Sequence, residues 1–132
     1  MLSNHDIFPV LPVEDLARAR TFYSDVIGMT IKFESESGIG LLSGSSSMLF
    51  LHASGQPSRE QTAAGFLVPD LPAVVAELRS KNVAFIEYDI PGLKTVDGIA
   101  EYDGIKSAWF IDSEGNTIGL AQTISNRHSD AE

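Results

Sequence analysis

The chain has 132 residues, enough for one ordinary domain or two small ones of about 60 residues. Its 43% hydrophobic and 20% charged residues match a globular protein and exclude wholesale disorder. Nine Lys and Arg against eighteen Asp and Glu leave a net charge of −9, which argues against a nucleic-acid partner, and the absence of cysteine excludes disulfides, thiolate metal centres and a Cys nucleophile.

In chain order, the apolar stretch Ile7 to Val13 predicts a first strand, and Asp15 stands where a helix N-cap belongs. Leu16, Ala19, Tyr23 and Ile27 then recur at three- and four-residue steps, the period of an amphipathic helix, which Gly28 can end. Met29 to Glu34 reads as a strand, and Ile39 to Ser43 with Met48 to His52 as a hairpin around Gly44-Ser45-Ser46-Ser47. Ala53 to Gln61 is polar, contains Gly55 and Pro57, and reads as a linker. A second strand-and-helix pair follows. Gly65 to Val68 precedes Asp70, and Leu71, Val74, Val75 and Leu78 carry the helical period until Lys81-Asn82; Pro72 falls in the first turn, where its missing N–H does no harm. Val83 to Tyr88, Gly98 to Tyr102, Lys106 to Ile111 and Thr117 to Gln122 are predicted strands. The loop Asp89 to Asp97 is long for a hairpin connection and reads either as a lid or as an irregular crossover. Thr123 to Glu132 reads as a polar tail.

Val13-Glu14-Asp15-Leu16 reappears 55 residues on as Val68-Pro69-Asp70-Leu71, so the pattern strand, helix, three strands occurs twice. The expected fold class is α+β. Two βαβββ modules, residues 6–52 and 62–122, joined by linker 53–61 and followed by tail 123–132, make one domain in which each curved mixed sheet forms a cup. No segment approaches the roughly 18 apolar residues of a membrane span, and the N-terminal segment has no leader pattern. A cytoplasmic protein with no membrane partner is therefore expected.

Val13-Glu14-Asp15-Leu16, Phe22-Tyr23, Ile27-Gly28-Met29 and the turn Phe110-Ile111-Asp112-Ser113-Glu114-Gly115-Asn116 together resemble the vicinal oxygen chelate superfamily, which includes glyoxalase I, bleomycin-resistance proteins, extradiol dioxygenases and fosfomycin-resistance enzymes. The resemblance implies metal ligands on the first and last strand of each module. Those positions hold Phe8, five residues before Val13, Ala63, five before Val68, Phe50 and Gly119. None offers a donor, and a divalent cation needs about three or four. Neither metal nor cofactor is expected. The cup floor is instead apolar and roomy, with flat faces from Phe8 and Phe50 and space at Ala63 and Gly119, as suits an apolar or aromatic ligand.

Met48 and His52 share strand parity with Phe50 and so share its face. His52 is either an acid–base residue at the cup rim or a solvent-facing strand-end histidine. Trp109 either stacks on a ligand or fills the space between sheet and helix. Glu101 and Tyr102 alternate faces, so one of them points at the cup. His5 would be a ligand only with the first strand displaced by three residues, and His128 lies in the tail. The Ser45-Ser46-Ser47 run has nothing beside it to activate a nucleophile, and Asp112 to Asn116 lacks calcium-loop spacing. The leading expectation is a metal-independent binding protein for a small or medium-sized, partly apolar or aromatic molecule, with a cationic one favoured by the −9 charge. The alternatives are a lyase or isomerase working without metal through His52, Glu101 or Tyr102, and an interaction module with a collapsed cup. Open strand edges and the resemblance both favour a homodimer with sites completed by two subunits.

Overall fold

Asp15 and Asp70 each accept the backbone N–H three residues on, Arg18 at 3.0 Å and Ala73 at 3.2 Å, and two helices start there: α1 (Leu16–Thr21) and α2 (Leu71–Ser80). The computed structural model describes residues 1–4, 6–53, 62–102 and 104–123, without the side chains of Leu2 and Thr123. His5, Asp103, His128, most of the expected linker and nearly all of the expected tail lie outside them. The chain forms two units, one of residues 1–58 with 112–116, the other of residues 59–111 with 117–132.

In the first unit, β1 (Val10–Pro12), β2 (Thr30–Glu34), β3 (Gly38–Ser43) and β4 (Ser47–His52) form a sheet in the order β1-β4-β3-β2. β1 runs parallel to β4, with Val10 opposite Phe50 and Pro12 opposite His52, while β2, β3 and β4 are antiparallel. Alternation sorts the faces. Leu11, Ile39, Leu41, Leu49 and Leu51 are buried with Val13, Ala19 and Tyr23, because α1 packs on that side against β3 and β4. The helix continues beyond Thr21 as a π turn, Phe22–Val26, in which the Ile27 N–H reaches back five residues to the Phe22 carbonyl. Gly28 (φ 89°) then takes the left-handed conformation, and the Met29 N–H bonds the Tyr23 carbonyl six residues back, closing the helix end.

In the second unit, β5 (Thr62–Leu67), β8 (Ala100–Tyr102), β9 (Ile105–Ile111) and β10 (Thr117–Thr123) form a sheet in the order β5-β10-β9-β8, repeating the topology of the first. α2 packs on β9 and β10, burying Leu71, Val75 and Leu78 on the side of Ala108, Phe110, Ile118 and Leu120. Gln122 accepts the Leu71 N–H, tying the helix start to the last strand. Asn82 (φ 67°) ends α2 in the left-handed region, as expected of Lys81-Asn82.

Two expectations change in this unit. Val83 to Tyr88 is not a full strand: it touches β9 through the Phe85–Phe110 bridge and the Ile86 N–H to Trp109 carbonyl bond, then leaves. The segment Asp89 to Asp97, expected to lack regular structure, contains a hairpin of β6 (Asp89–Ile90) and β7 (Leu93–Lys94), turned at Gly92 (φ 85°). The place that β2 fills in the first sheet is thus shared by residues 84–86 and β8, on either side of this hairpin. Short pairings of two residues carry no period-2 signal, which is why the pattern did not reveal them.

Candidate functional site

The second sheet turns one face to α2 and leaves the other open. Register fixes what stands there: Gly65 lies opposite Gly119, and Gly119 opposite Trp109, so one rung across β5, β10 and β9 reads Gly, Gly, Trp. A groove of about 340 Å³ runs over this rung, walled by Leu67 and Trp109, with Thr62 and Ser107 as its side-chain hydroxyls. Trp109 therefore belongs to the open face, since Ala108 and Phe110 on either side of it are the residues buried on the α2 side. The Tyr88 ring meets it edge-on, with centroids 5.2 Å apart at 86°.

Of the expected site residues, Trp109 and Gly119 line this groove. Ala63 does not. The ladder slips between Thr117 and Ile118, so Thr62 pairs with Thr117, Ala64 with Ile118, and Ala63 is left exposed without a partner. Thr62 takes the place on the groove that counting back from Val68 had assigned to Ala63. By the β8–β9 register Tyr102 lies opposite Ile105, on the face of Ser107 and Trp109, and Glu101 opposite Lys106, on the other. Both are exposed, Tyr102 by 68%.

Phe8, Met48, Phe50 and His52 fall in the first unit. There the face away from α1 carries a row of rings: Phe33 and Phe50 at 6.0 Å, then Phe50 and His52 at 5.9 Å and 30°. Gly38 and Gly40 make the row possible, since a Cβ on Gly38 would overlap the Phe50 ring and one on Gly40 the Phe33 ring. Phe8 precedes β1 and is 48% exposed. Met48 is half-buried on the same face as Phe50. Phe33 was missed by the sequence reading, because the slip between Ile31 and Phe33 breaks the alternation of β2.

A polar cluster also occupies the first unit, around the Asp112 to Asn116 turn. Asp112 accepts the Tyr23 hydroxyl at 2.6 Å, the N–H groups of Glu114 and Asn116 at 2.8 Å, and Asn116 Nδ2 at 3.0 Å. Burial, the Asp112 charge and this bond push the Tyr23 hydroxyl far above its ordinary range. Glu114 accepts the N–H groups of Glu14 and Asp15 and a two-pronged bond from Arg18 at 2.7 and 2.9 Å. Burial alone would raise the Glu114 carboxyl; the Arg18, Asp15, Ser113 and Glu14 donors outweigh it and hold it at about 2. With the Asp112 and Glu114 carboxylates committed to these bonds, and Asn116 Nδ2 donating to the Pro12 carbonyl at 3.0 Å, the turn is a clasp on β1 and the start of α1.

Among the described residues no three His, Asp or Glu side chains come together in a group that would hold a metal ion, and Phe8, Phe50, Ala63 and Gly119, the positions at which the resemblance implies ligands, bring no donor side chain. A divalent cation does not fit that donor set. No described helix is long and apolar enough to cross a membrane.

Residues 7–120 match the family model of the Glyoxalase/Bleomycin resistance protein/Dioxygenase superfamily. The chain belongs to this superfamily. Solved structures of superfamily members share its fold. A glyoxalase/bleomycin resistance protein/dioxygenase from Alicyclobacillus acidocaldarius is 17% identical with a TM-score of 0.71, over 94% of this chain and 95% of that one. TnmS3, an antibiotic binding protein from Streptomyces sp. CB03234, is 23% identical with a TM-score of 0.70, over 90% and 95%. Lactoylglutathione lyase from Agrobacterium tumefaciens is 15% identical with a TM-score of 0.69, over 89% and 92%. Comparison with curated proteins gives no significant match. At these identities the likeness establishes the fold alone, and a fold does not by itself fix a function.

Proposed function

We propose that this superfamily member is a metal-independent binding protein for a small or medium-sized, partly apolar or aromatic molecule. The observation that carries the reading is the 340 Å³ groove, with Trp109 and Leu67 as walls and a floor of Gly65 and Gly119 that bears no side chains. Such a space matches the lower end of ligand cavities, and its few hydroxyls suit orientation more than chemistry. The net charge of −9 favours a cationic ligand through long-range attraction. TnmS3, similar in fold, is an antibiotic binding protein, which supports the same class of function.

The rival reading, a metal-free lyase or isomerase, needs an acid and a base converging on one substrate atom. Glu101 and Tyr102 lie on opposite faces of β8, so that pair does not converge. The test is a titration of the purified protein with a panel of cationic aromatic antibiotics and metabolites, read by Trp109 fluorescence and thermal shift. A saturable fluorescence change with a raised Tm is expected for at least one member. A flat response across the panel in both readouts would overturn the binding reading.

A further inference from the structure

We propose that the indole Nε1–H of Trp109 is the specificity-determining donor of the groove, taking a carbonyl-type acceptor on a ligand ring seated over Gly65, and that Tyr88 is the positioning residue that aims it. The proposal rests on the groove being a ligand site, as argued above, and goes on to name the ligand chemistry.

Trp109 Nε1 and Cδ1 both lie 3.6 Å from where a Cβ on Gly119 would stand, so the N–H edge of the indole borders the groove floor. Trp109 Nε1 makes no hydrogen bond to any described residue. Next to it the floor is uncovered: a Cβ on Gly65 would meet nothing but the Gly119 backbone, at 3.5 and 3.9 Å. The hydroxyls of Thr62 and Ser107 each donate and accept, so neither distinguishes an acceptor from a donor on the ligand, whereas an indole N–H only donates. A ring on Gly65 that carries an oxygen toward Gly119 satisfies this donor. The same ring without the oxygen leaves it unpaired and dry, and the difference in affinity is the selectivity.

The indole is not free to turn away. Tyr88 stands edge-on against it, and Tyr88 is itself held at the base of the β6–β7 hairpin. Its N–H donates to Thr95 Oγ1 at 2.8 Å and its carbonyl accepts the Thr95 N–H at 2.9 Å. Thr95 is buried, and its hydroxyl in turn donates to the Glu87 carboxylate. The hairpin that interrupts the second sheet thus delivers one ring to the side of Trp109.

The experiment compares 9-fluorenone with fluorene, one tricyclic frame with and without a carbonyl, by calorimetry on the full chain. The wild type should bind fluorenone about threefold to tenfold more tightly, the worth of one net hydrogen bond. Trp109→Phe should bring the ratio to about one. Gly119→Ala should do the same with the Trp retained, because its methyl would occupy the space an acceptor needs at about 3 Å from Nε1. Tyr88→Ala should lower the ratio and alter the near-UV circular dichroism of Trp109, and Tyr88→Phe should restore both. A wild-type ratio of one with both compounds bound, or a ratio that survives Trp109→Phe and Gly119→Ala, overturns the donor and leaves the groove standing as a ligand site. If neither compound binds while the antibiotic and metabolite panel does, this ligand class is wrong; if that panel fails as well, the groove falls with it.

Discussion

Glu114 is held ionised by donors from four residues in two stretches of chain, Glu14, Asp15 and Arg18 in one and Ser113 in the other, and this ties its contribution to pH. Its carboxyl sits at about 2, below its ordinary value of 4.5, so protonation is harder in the folded state than in the unfolded one. Its contribution to stability is therefore complete above about pH 5 and is lost as the pH falls toward 2. Glu114→Gln keeps the shape but loses the charge-assisted bonds to Arg18, Glu14 and Asp15, and should cost about 2 kcal/mol at neutral pH. Urea unfolding of wild type and variant from pH 7 down to pH 3 checks this: the gap between the two should narrow as the pH drops, and a constant gap would remove Glu114 as its source. The same scale explains why metal chemistry is set aside. Phe8, Phe50, Ala63 and Gly119 stand where the resemblance implies ligands, and none of them has a side-chain oxygen or nitrogen; Thr62, which lines the groove near Ala63, adds a single hydroxyl. Elemental analysis of dialysed protein should find no stoichiometric Zn, Ni, Fe or Mn; about one ion per chain would overturn the metal-independent reading.

At the scale of elements, the two helices begin alike and end differently. Both start on an Asp cap, but α1 passes through a π turn before the Gly28 stop while α2 stays regular to Asn82. The extra residue in the π turn accompanies the burial of Tyr23, whose hydroxyl reaches Asp112. Gly28 at φ 89° closes that helix with open space around it, since nothing lies within 4 Å of the place of a Cβ. Gly28→Ala should thus be a pure backbone cost of about 1 to 2 kcal/mol, without steric overlap. Thermal unfolding would show a loss of that size, and an unchanged Tm would mean the closing turn adopts another conformation. In the second module the corresponding economy is absent: the insertion of β6 and β7 splits one strand position in two.

At the scale of the whole molecule, each unit is a four-stranded sheet with one face under a helix and the other face carrying aromatic rings beside glycines. β1 and β2 are edges of the first sheet, β5 and β8 of the second, and Val10, Phe33 and Leu67 stay exposed by 51%, 44% and 83%. Exposed apolar side chains on open faces invite a partner module. We therefore propose a homodimer in which two chains complete each ligand site. Light scattering at micromolar concentration should give about twice 14.2 kDa, and a clean monomer would sink the shared-site arrangement while leaving the groove within one chain untouched.

The repeat of Val13-Glu14-Asp15-Leu16 at Val68-Pro69-Asp70-Leu71, the caps, the stops at Gly28 and Asn82 and most of the strands are legible in the sequence, because local backbone chemistry and hydrophobic alternation write them into neighbouring residues. The resemblance names Gly119 as a site position, and the sequence leaves Trp109 between stacking on a ligand and filling the space between sheet and helix; the structure puts both on the groove. What lies beyond a window of a few residues is not legible. The slip beside Ile118 that puts Thr62 in place of Ala63 is a property of two strands 55 residues apart, and the pairing of Tyr88 with Trp109 depends on a hairpin too short to have a period. The sequence by itself settles both helices, most of the strands and which chemistries the inventory forbids; which side chains share a face with Trp109 is decided by register, and register is a long-range choice made by the packed sheet.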